Sequence, residues 1–147
     1  MSFLSSLNIS ASGMTAQRLR LDVASQNIAN IETTRTEGGG PYRRKMVVLE
    51  AKDDSFHQVL SRTMAADASQ SRAGVRAAAI IDDETELKAV YDPEHPDADE
   101  EGYVRMPNID MVKEMTDSMA ATRSYEANIT AFNAVKLMAQ KALEVGK

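Results

Sequence analysis

The apolar side chains of the first 31 residues recur with a period of seven, the spacing of a helix that packs along a partner helix. One row of this repeat holds Leu7, Met14, Leu21 and Ile28. The positions between them hold Phe3, Ser10, Gln17, Ala24 and Ile31, of which two are polar. The pattern predicts an N-terminal helix over residues 1–31, about 45 Å long at 1.5 Å per residue. Gly13 weakens it, since glycine costs about 1 kcal/mol in a helix interior.

A longer helix is predicted at the other end of the chain, where residues 108–145 contain neither Gly nor Pro. One row with a period of seven holds Met111, Ser118, Tyr125, Phe132 and Ala139. A second, interleaved row holds Met115, Thr122, Ile129, Lys136 and Leu143. The helix would measure about 57 Å. Because globular helices usually contain roughly 8–20 residues, this length indicates a coiled coil or a helical assembly.

The residues between these helices have the pattern of strands and turns. Residues 32–41 contain Thr-rich and Gly-rich runs that break helices. Residues 42–51, 75–81 and 87–91 are predicted strands because apolar residues are concentrated there, although three consecutive alanines weaken the second strand. Residues 52–74 combine helical spacing with loop-type residues. An acidic loop with two prolines follows the third strand.

The predicted fold is mainly α, with long terminal helices that form a coiled-coil-like hairpin and a small β insert between them. We divide the chain into an N-terminal core helix (1–31), a loop and β-rich insert (32–107) and a long C-terminal core helix (108–147). The second helix is the longer of the two and its apolar stripe is broader. Pairing the helices with each other therefore leaves apolar surface that other copies or other subunits must bury.

Charge is distributed unevenly along the 147 residues, of which 43% are hydrophobic and 27% are charged. Residues 82–101 contain ten acidic residues and one Lys, a net charge of −9. Since the whole chain has a net charge of −5, the remainder carries +4. The nearest approach to a basic patch is Arg43-Arg44-Lys45, which is short and lies within a predicted strand. We therefore expect no nucleic-acid partner.

Several classes of site are excluded by residues that the sequence lacks. There is no cysteine, which excludes disulfides, cysteine-based zinc sites and thiol nucleophiles. No apolar run approaches the roughly 18 residues that span a bilayer, so we expect no direct membrane insertion. The first ten residues lack the basic and apolar regions of a Sec-type signal peptide. We expect export, if it occurs, to use another route.

The two histidines offer candidate chemistry that has a simpler interpretation. His95 lies among Glu94, Asp97 and other acidic residues, a set that could hold a divalent cation. A solvated acidic loop explains the same residues. His57 follows Asp53 and other polar residues, as in a hydrolase, but the chain has no G-x-S-x-G nucleophile motif. We expect no catalytic residue, no metal and no cofactor.

Two separated motifs resemble one known family. Residues 21–34 read LDVASQNIANIETT and residues 41–44 read PYRR, which resembles the N-terminal signature of bacterial flagellar rod and hook proteins. Residues 91–104 read YDPEHPDADEEGYV. Residues 107–110 (PNID) then lead to residues 120–128 (AATRSYEAN). This C-terminal half is similar to proximal rod proteins of the FlgC type, and the resemblance is weakest over residues 52–74.

The resemblance implies a structural subunit that polymerises helically through its terminal helices into the proximal part of the flagellar rod. The rod crosses the periplasm and transmits motor torque. The resemblance also implies export through the flagellar type III apparatus without a cleaved signal peptide. The implied partners are other copies, other rod subunits, the export apparatus and basal-body ring proteins. The expected assembly interface comprises Leu7, Met14, Leu21, Ala24, Asn27, Ile28, Asn30, Ile31, Met111, Met115, Met119, Tyr125, Asn128, Ile129, Phe132 and Leu143.

Two alternatives belong to other functional classes. A soluble coiled-coil adaptor or secreted protein would bind one partner helix in a 1:1 complex, and a small metal-dependent enzyme would use His95. We also expect the terminal segments to be largely unstructured before assembly, because isolated helices derive most of their stability from packing.

Overall fold

The computed structural model describes residues 3–52 and 74–145, and it confirms a mainly helical fold with a small β insert. The N-terminal helix α1 is Phe3–Ala29 and the C-terminal helix α2 is Met111–Val145. Four strands lie between them in the chain: β1 (Lys45–Ala51), β2 (Val75–Asp82), β3 (Lys88–Tyr91) and β4 (Tyr103–Met106). The helices begin and end within three residues of the predicted bounds.

The strands form two separate antiparallel ribbons. Strand β1 pairs with β2, and β3 pairs with β4. The three alanines do not prevent β2 from forming, since the ladder hydrogen bonds come from its backbone, and a β-bulge between Val48 and Leu49 shifts the register opposite them. The short strand β4 was not predicted, because only two of its four residues are β-branched or aromatic. We call the β1–β2 pair the β ribbon.

The two helices pack antiparallel with a register that two contacts fix. The Asn27 amide lies 3.0 Å from a carboxylate oxygen of Glu114, and a Cβ on Gly13 would lie 2.8 Å from Oδ1 of Asn128. Each pair of contact points is 14 residues apart on both helices, which is two heptads. Continuing the same register from Asn27 to Phe3 places Phe3 opposite Met138.

Small and polar side chains of α1 form its contact with α2. Its buried residues are Ser10, Ala16, Val23, Ala24 and Asn27. The predicted apolar row of Leu7, Met14, Leu21 and Ile28 is only half-buried and lies at the margin of the contact. Small side chains occupy the centre of the contact because they let the two backbones approach closely, as at Gly13. The residue that weakens the helix by propensity is thus required by its packing.

The contact surface of α2 follows a regular spacing of four and three residues. The buried and half-buried positions with this spacing, which we call the inner seam, are Glu114, Ser118, Ala121, Tyr125, Asn128, Phe132, Val135 and Ala139. Asp117 and Ser124 are also half-buried. Four of the five residues of the first predicted row lie in the inner seam, whereas its first member, Met111, is exposed. The interleaved row is displaced by one residue from the inner seam. Three residues of the interleaved row, Met115, Ile129 and Leu143, are exposed. The residues that lie inward are one position earlier in the repeat, namely Glu114, Ala121 and Asn128.

The β ribbon lies against one side of α1. The Val75 amide donates to the Ser12 hydroxyl at 3.0 Å, and that hydroxyl donates to the Ile9 carbonyl at 2.7 Å. A largely apolar groove of about 470 Å³ runs between α1 and the ribbon. Gly74, at the start of β2, is the point of closest approach, because a Cβ there would lie 2.0 Å from Ser12 Oγ and 2.9 Å from Ser12 Cβ.

Replacing Gly74 with alanine should therefore loosen the β ribbon from α1. Ser12 Cβ is attached to the helix backbone and cannot rotate away, so the ribbon must shift. We expect a loss of about 1–3 kcal/mol in the free energy of unfolding, as for other overpacked contacts. Urea denaturation followed by circular dichroism measures it. Gly38→Ala is the matched control, because a Cβ at Gly38 meets no atom within 4 Å. Equal stability of the two variants would contradict the proposed contact.

Candidate assembly site

Asn27 lies where α1, β1 and α2 meet, and its amide makes four hydrogen bonds. Its Nδ2 group donates to the Lys45 carbonyl at 2.9 Å and to Glu114 Oε2 at 3.0 Å. Its Oδ1 accepts from the Lys45 amide at 2.9 Å and from the Tyr42 hydroxyl at 3.2 Å. These bonds use both donors and both lone pairs of the amide. Since Asn27 is 1% exposed, its function in the folded chain is internal.

Through its two bonds to Lys45, the Asn27 side chain replaces the hydrogen bonds that a neighbouring β-strand would make. Its side-chain amide donates to the backbone carbonyl and accepts from the backbone N–H of the same residue, as a paired β-strand residue does. These bonds satisfy the backbone N–H and carbonyl of Lys45, the first residue of β1. The N-terminal helix thereby determines where the β ribbon begins.

Arg44 completes the same cluster from the loop before β1. Its Nε lies 2.5 Å from Glu114 Oε1, and its Nη2 lies 3.2 Å from Asp117. A third contact, from Nη1 to Asp83, is 3.5 Å long. Its backbone N–H donates to the Asn108 side chain at 2.9 Å. We call Asn27, Tyr42, Arg44 and Glu114 the polar lock.

Burial and charge determine the protonation of the polar lock. Burial opposes the charged guanidinium of Arg44, but the hydrogen bond and charge of Glu114, with the charges of Asp117 and Asp83, outweigh burial and raise its pKa. Burial, with the charges of Asp82 and Glu114, raises the pKa of the Tyr42 hydroxyl. Arg44 is therefore charged and Tyr42 is a neutral donor across the physiological range. Among the described side chains, every buried polar atom has a hydrogen-bond partner.

A second set of contacts ties the loop after α1 to the acidic loop. Asp97 accepts a hydrogen bond from the Thr34 hydroxyl at 2.8 Å and forms an ion pair with Arg35. The bond from Thr34, followed by the charge of Arg35, lowers the pKa of Asp97. The His95 ring accepts from the Asp97 backbone N–H at 3.1 Å. The acidic loop, predicted to be solvated, is therefore anchored at Asp97 to the loop after α1.

The described residues provide no metal-type cluster and no membrane-spanning helix. No group of three His, Asp or Glu side chains in residues 3–52 and 74–145 could hold a metal ion. No helix in the same ranges is long and apolar enough to cross a bilayer. His57, which suggested a hydrolase, lies outside the described residues.

Acid should weaken the fold through Asp83. Hydrogen bonds from the Thr85 backbone and hydroxyl, with the charge of Arg44, lower the pKa of Asp83. A depressed carboxyl pKa stabilises the folded state fully above the unfolded pKa of about 3.9 and ceases to do so as pH falls through the folded pKa. We therefore expect Asp83→Asn to lower the unfolding temperature at neutral pH and to approach the wild type below about pH 4.

Thermal unfolding of both proteins between neutral and strongly acidic pH tests this expectation. Glu84→Gln is a suitable control, since Glu84 is the exposed neighbour of Asp83. A gap between Asp83→Asn and the wild type that stays constant over the whole pH range would contradict the assignment.

The predicted interface residues divide into three sets in the structure. Ala24, Asn27, Tyr125, Asn128 and Phe132 lie on the contact between α1 and α2. Half-buried residues at the margin of α1 or just after it are Leu7, Met14, Leu21, Ile28, Asn30 and Ile31. Exposed residues of α2 are Met111, Met115, Met119, Ile129 and Leu143. The last two sets are accessible to a neighbouring molecule, and the first set already serves the subunit itself.

Sequence reasoning missed the polar lock apart from Asn27. Glu114 occupies the inner seam, where a charge is unexpected, and it is 2% exposed. Arg44 was considered only as part of a short basic run. A signal was available in the sequence, because a carboxylate in a helix seam requires a buried cation, and Arg43, Arg44 and Lys45 are clustered at the start of the first predicted strand.

Comparisons with known proteins identify the family. The family described as Flagella basal body rod protein matches residues 7–35, and Flagellar basal body rod FlgEFG protein C-terminal matches residues 100–145. Flagellar basal-body rod protein FlgC of Bacillus subtilis is 51% identical over 146 residues, 97% of each chain. That of Salmonella typhimurium is 40% identical over the full length of both chains. With the long helices and both motifs in the expected order, this chain belongs to the flagellar basal-body rod protein FlgC family.

Proposed function

We propose that this chain is a structural subunit of the flagellar basal-body rod, which polymerises helically through its terminal helices. It forms the proximal part of the drive shaft with other copies and other rod subunits, and it contacts the basal-body ring proteins. It reaches the periplasm through the flagellar type III apparatus without signal-peptide cleavage. The role requires stiffness and contact surface, and it uses no catalytic residue.

The observation that carries this proposal is the imbalance between buried and exposed apolar residues. Among the described residues, seven apolar side chains are buried, whereas seventeen large apolar side chains are exposed. Soluble monomers rarely expose contiguous apolar patches of more than a few hundred Å². On α2 the exposed set includes Met111, Val112, Met115 and Met119, which are 50–73% exposed and lie within eight residues of one another. Such a surface requires partners along the length of the helix.

The polar lock refines our expectation about the chain before assembly. It joins the end of α1 to the start of α2 through buried hydrogen bonds within one chain. At the opposite end of the helix pair, Phe3 and Met138 are 39% and 63% exposed. We propose that the lock region is folded in the free subunit and that the helix ends distant from it become ordered on assembly.

Genetic replacement tests the proposed role. In a bacterium whose own FlgC is deleted, we expect this chain to restore motility and to be present in purified basal bodies. Met115→Asp/Met119→Asp should abolish both, because two carboxylates would be buried in the assembled rod. Glu126→Gln is a control on the same helix. The proposal would be overturned if rods assembled without the chain. It would also be overturned if the chain were recovered only in a 1:1 complex, as expected for an adaptor.

A further inference from the structure

Two tyrosine rings at the end of the β3–β4 pair are packed together and yet exposed. Tyr91 ends β3, Tyr103 begins β4, and the two residues pair across the strands. Their ring centroids lie 5.4 Å apart in an edge-to-face arrangement. Gly102, with a φ of +82°, brings the backbone against the first ring, since a Cβ there would lie 3.0 Å from Tyr91 Cε2. Tyr91 is 65% exposed and Tyr103 is 42% exposed, so these contacts hold the rings in place without burying them. We call the two rings the tyrosine pair.

The loop that joins β3 to β4 adds negative charge beside the tyrosine pair. Asp97 forms an ion pair with Arg35, and five further acidic residues of this loop are exposed. They are Asp92, Glu94, Asp99, Glu100 and Glu101. A site that is complementary to this end of the molecule must therefore be apolar where it meets the rings and positively charged around them.

The groove between α1 and the β ribbon has both properties. Its volume is about 470 Å³, and its lining is largely apolar. The volume lies within the range of roughly 300–1,000 Å³ that is usual for ligand pockets. The charged residues of the lining are Arg18, Lys52, Arg76 and Asp22, which give a net charge of +2 from three cations and one carboxylate. Glu50 lies 3.4 Å from Arg76 and offsets part of this charge. Tyrosine side chains suit such a site, because they bring a large apolar area at a low cost in conformational entropy.

The tyrosine pair of a subunit lies away from the groove of the same subunit. The groove follows α1 from Ser12 to Asp22. The helix then continues for seven residues, about 10 Å, before it ends. The loop between β3 and β4 is attached beyond that end, where Asp97 accepts a hydrogen bond from Thr34. While this attachment holds, a tyrosine pair that enters the groove must come from another copy.

We propose that the tyrosine pair of one copy enters the groove between α1 and the β ribbon of the next copy. The adjoining carboxylates then face Lys52 and Arg76 at the groove. The inference rests on the proposed function, because it names a contact between neighbouring copies in the rod. Two different surfaces of the chain meet, so the contact is heterologous, and each added copy presents a new groove or a new tyrosine pair to the next.

Cysteine crosslinking in assembled basal bodies tests the contact, and the chain has no native cysteine to interfere. A host without its own FlgC would express two tagged copies, one with Ala89→Cys and one with Ala77→Cys. Ala89 is exposed and lies two residues before Tyr91 on the same face of β3, and Ala77 lines the groove. With a short bismaleimide crosslinker we expect a dimer that carries both tags. Thr122→Cys replaces Ala77→Cys in the control, because Thr122 is exposed on α2 outside the groove, and this pair should lose the dimer.

A charge reversal tests the electrostatic part of the contact. Lys52→Glu in the copy that carries Ala77→Cys should reduce the crosslinked dimer at least about tenfold, because like charges would then face each other. Lys52 is exposed, so the unfolding temperature of the free subunit should not change. Lys136→Glu makes the same change at an exposed position of α2 and should leave the dimer intact. Equal amounts of dimer in these two variants would overturn the contact.

The outcomes separate the two proposals. Incorporation of both copies with no more dimer than the Thr122→Cys control overturns the contact and leaves the rod function intact. A groove that is covered by the same chain or by a different rod protein would give this result. Absence of the chain from basal bodies overturns the rod function, and the contact with it.

Discussion

Replacing Asn27 with aspartate should reduce the free energy of unfolding by about 3–5 kcal/mol, the range for breaking a buried charge network. Aspartate removes both amide donors, so the Lys45 carbonyl and Glu114 lose a partner. It also places a second carboxylate about 3.0 Å from the Glu114 carboxylate, where Asn27 Nδ2 now lies. Like charges at that distance in a buried site cannot both be ionised without a large penalty. Urea denaturation of the isolated chain measures the loss.

Two further variants test whether the loss of stability is specific to Asn27 or follows from any substitution in the motif that contains it. Asn30→Asp changes the same residue type three positions later, but the Asn30 side chain, which is half-buried, bonds to the Gln26 carbonyl and the Thr33 hydroxyl. We expect a loss of less than about 1 kcal/mol there, as for other surface substitutions. Asn27→Ala should fall between the two, because it removes the bonds without adding a charge. Similar losses for Asn27→Asp and Asn30→Asp would contradict the polar lock.

Replacing Arg44 with methionine should also cost about 3–5 kcal/mol, because Glu114 would remain buried without its cation. The arginine side chain is 10% exposed and that of Glu114 is 2% exposed, so in the folded chain the guanidinium, not bulk water, balances the carboxylate. Removing both charges at once should be less harmful. We expect Arg44→Met/Glu114→Leu to recover a large part of the loss, since well-packed apolar residues can replace a buried ion pair.

A double-mutant cycle of these variants measures the coupling between the two residues. Arg43→Met is the control for a change of charge next to Arg44, because Arg43 is exposed and its guanidinium donates to the Asp83 carbonyl at 3.3 Å. Additive losses in the double variant would mean that Arg44 stabilises the fold without acting through Glu114.

The helices were predictable because their apolar period extends over many turns. The residues from Ser118 to Ala139 in the first predicted row of α2 lie in the inner seam, since a period of seven over three heptads has few alternative interpretations. The position of its companion row was not predictable from hydrophobicity. Met115 and Ile129 are more apolar than Glu114 and Asn128, yet the polar pair lies inward. In a subunit that assembles, large apolar residues also serve contacts with other molecules, and the sequence does not separate these two uses.

The polar lock shows a different limit of sequence reasoning. The segment around Asn27 belongs to one of the two family motifs, and Asn27 is among the predicted interface residues. Its partners Tyr42, Arg44 and Glu114 lie 15, 17 and 87 residues away in the chain. Only the fold brings them together, because the β ribbon must begin at Lys45 before the amide can bond to that backbone. Local patterns therefore identified the residue without identifying its function.

The complete burial of Asn27 determines when other molecules can bind the side chain of this residue. In the folded subunit all four hydrogen-bonding positions of this side chain are occupied, and 1% of the residue is accessible. A receptor that recognises the asparagine side chain must therefore meet the chain before α1 and α2 pair. Folding then buries the residue, so the Asn27 side chain is accessible in an unfolded polypeptide and inaccessible in the folded subunit.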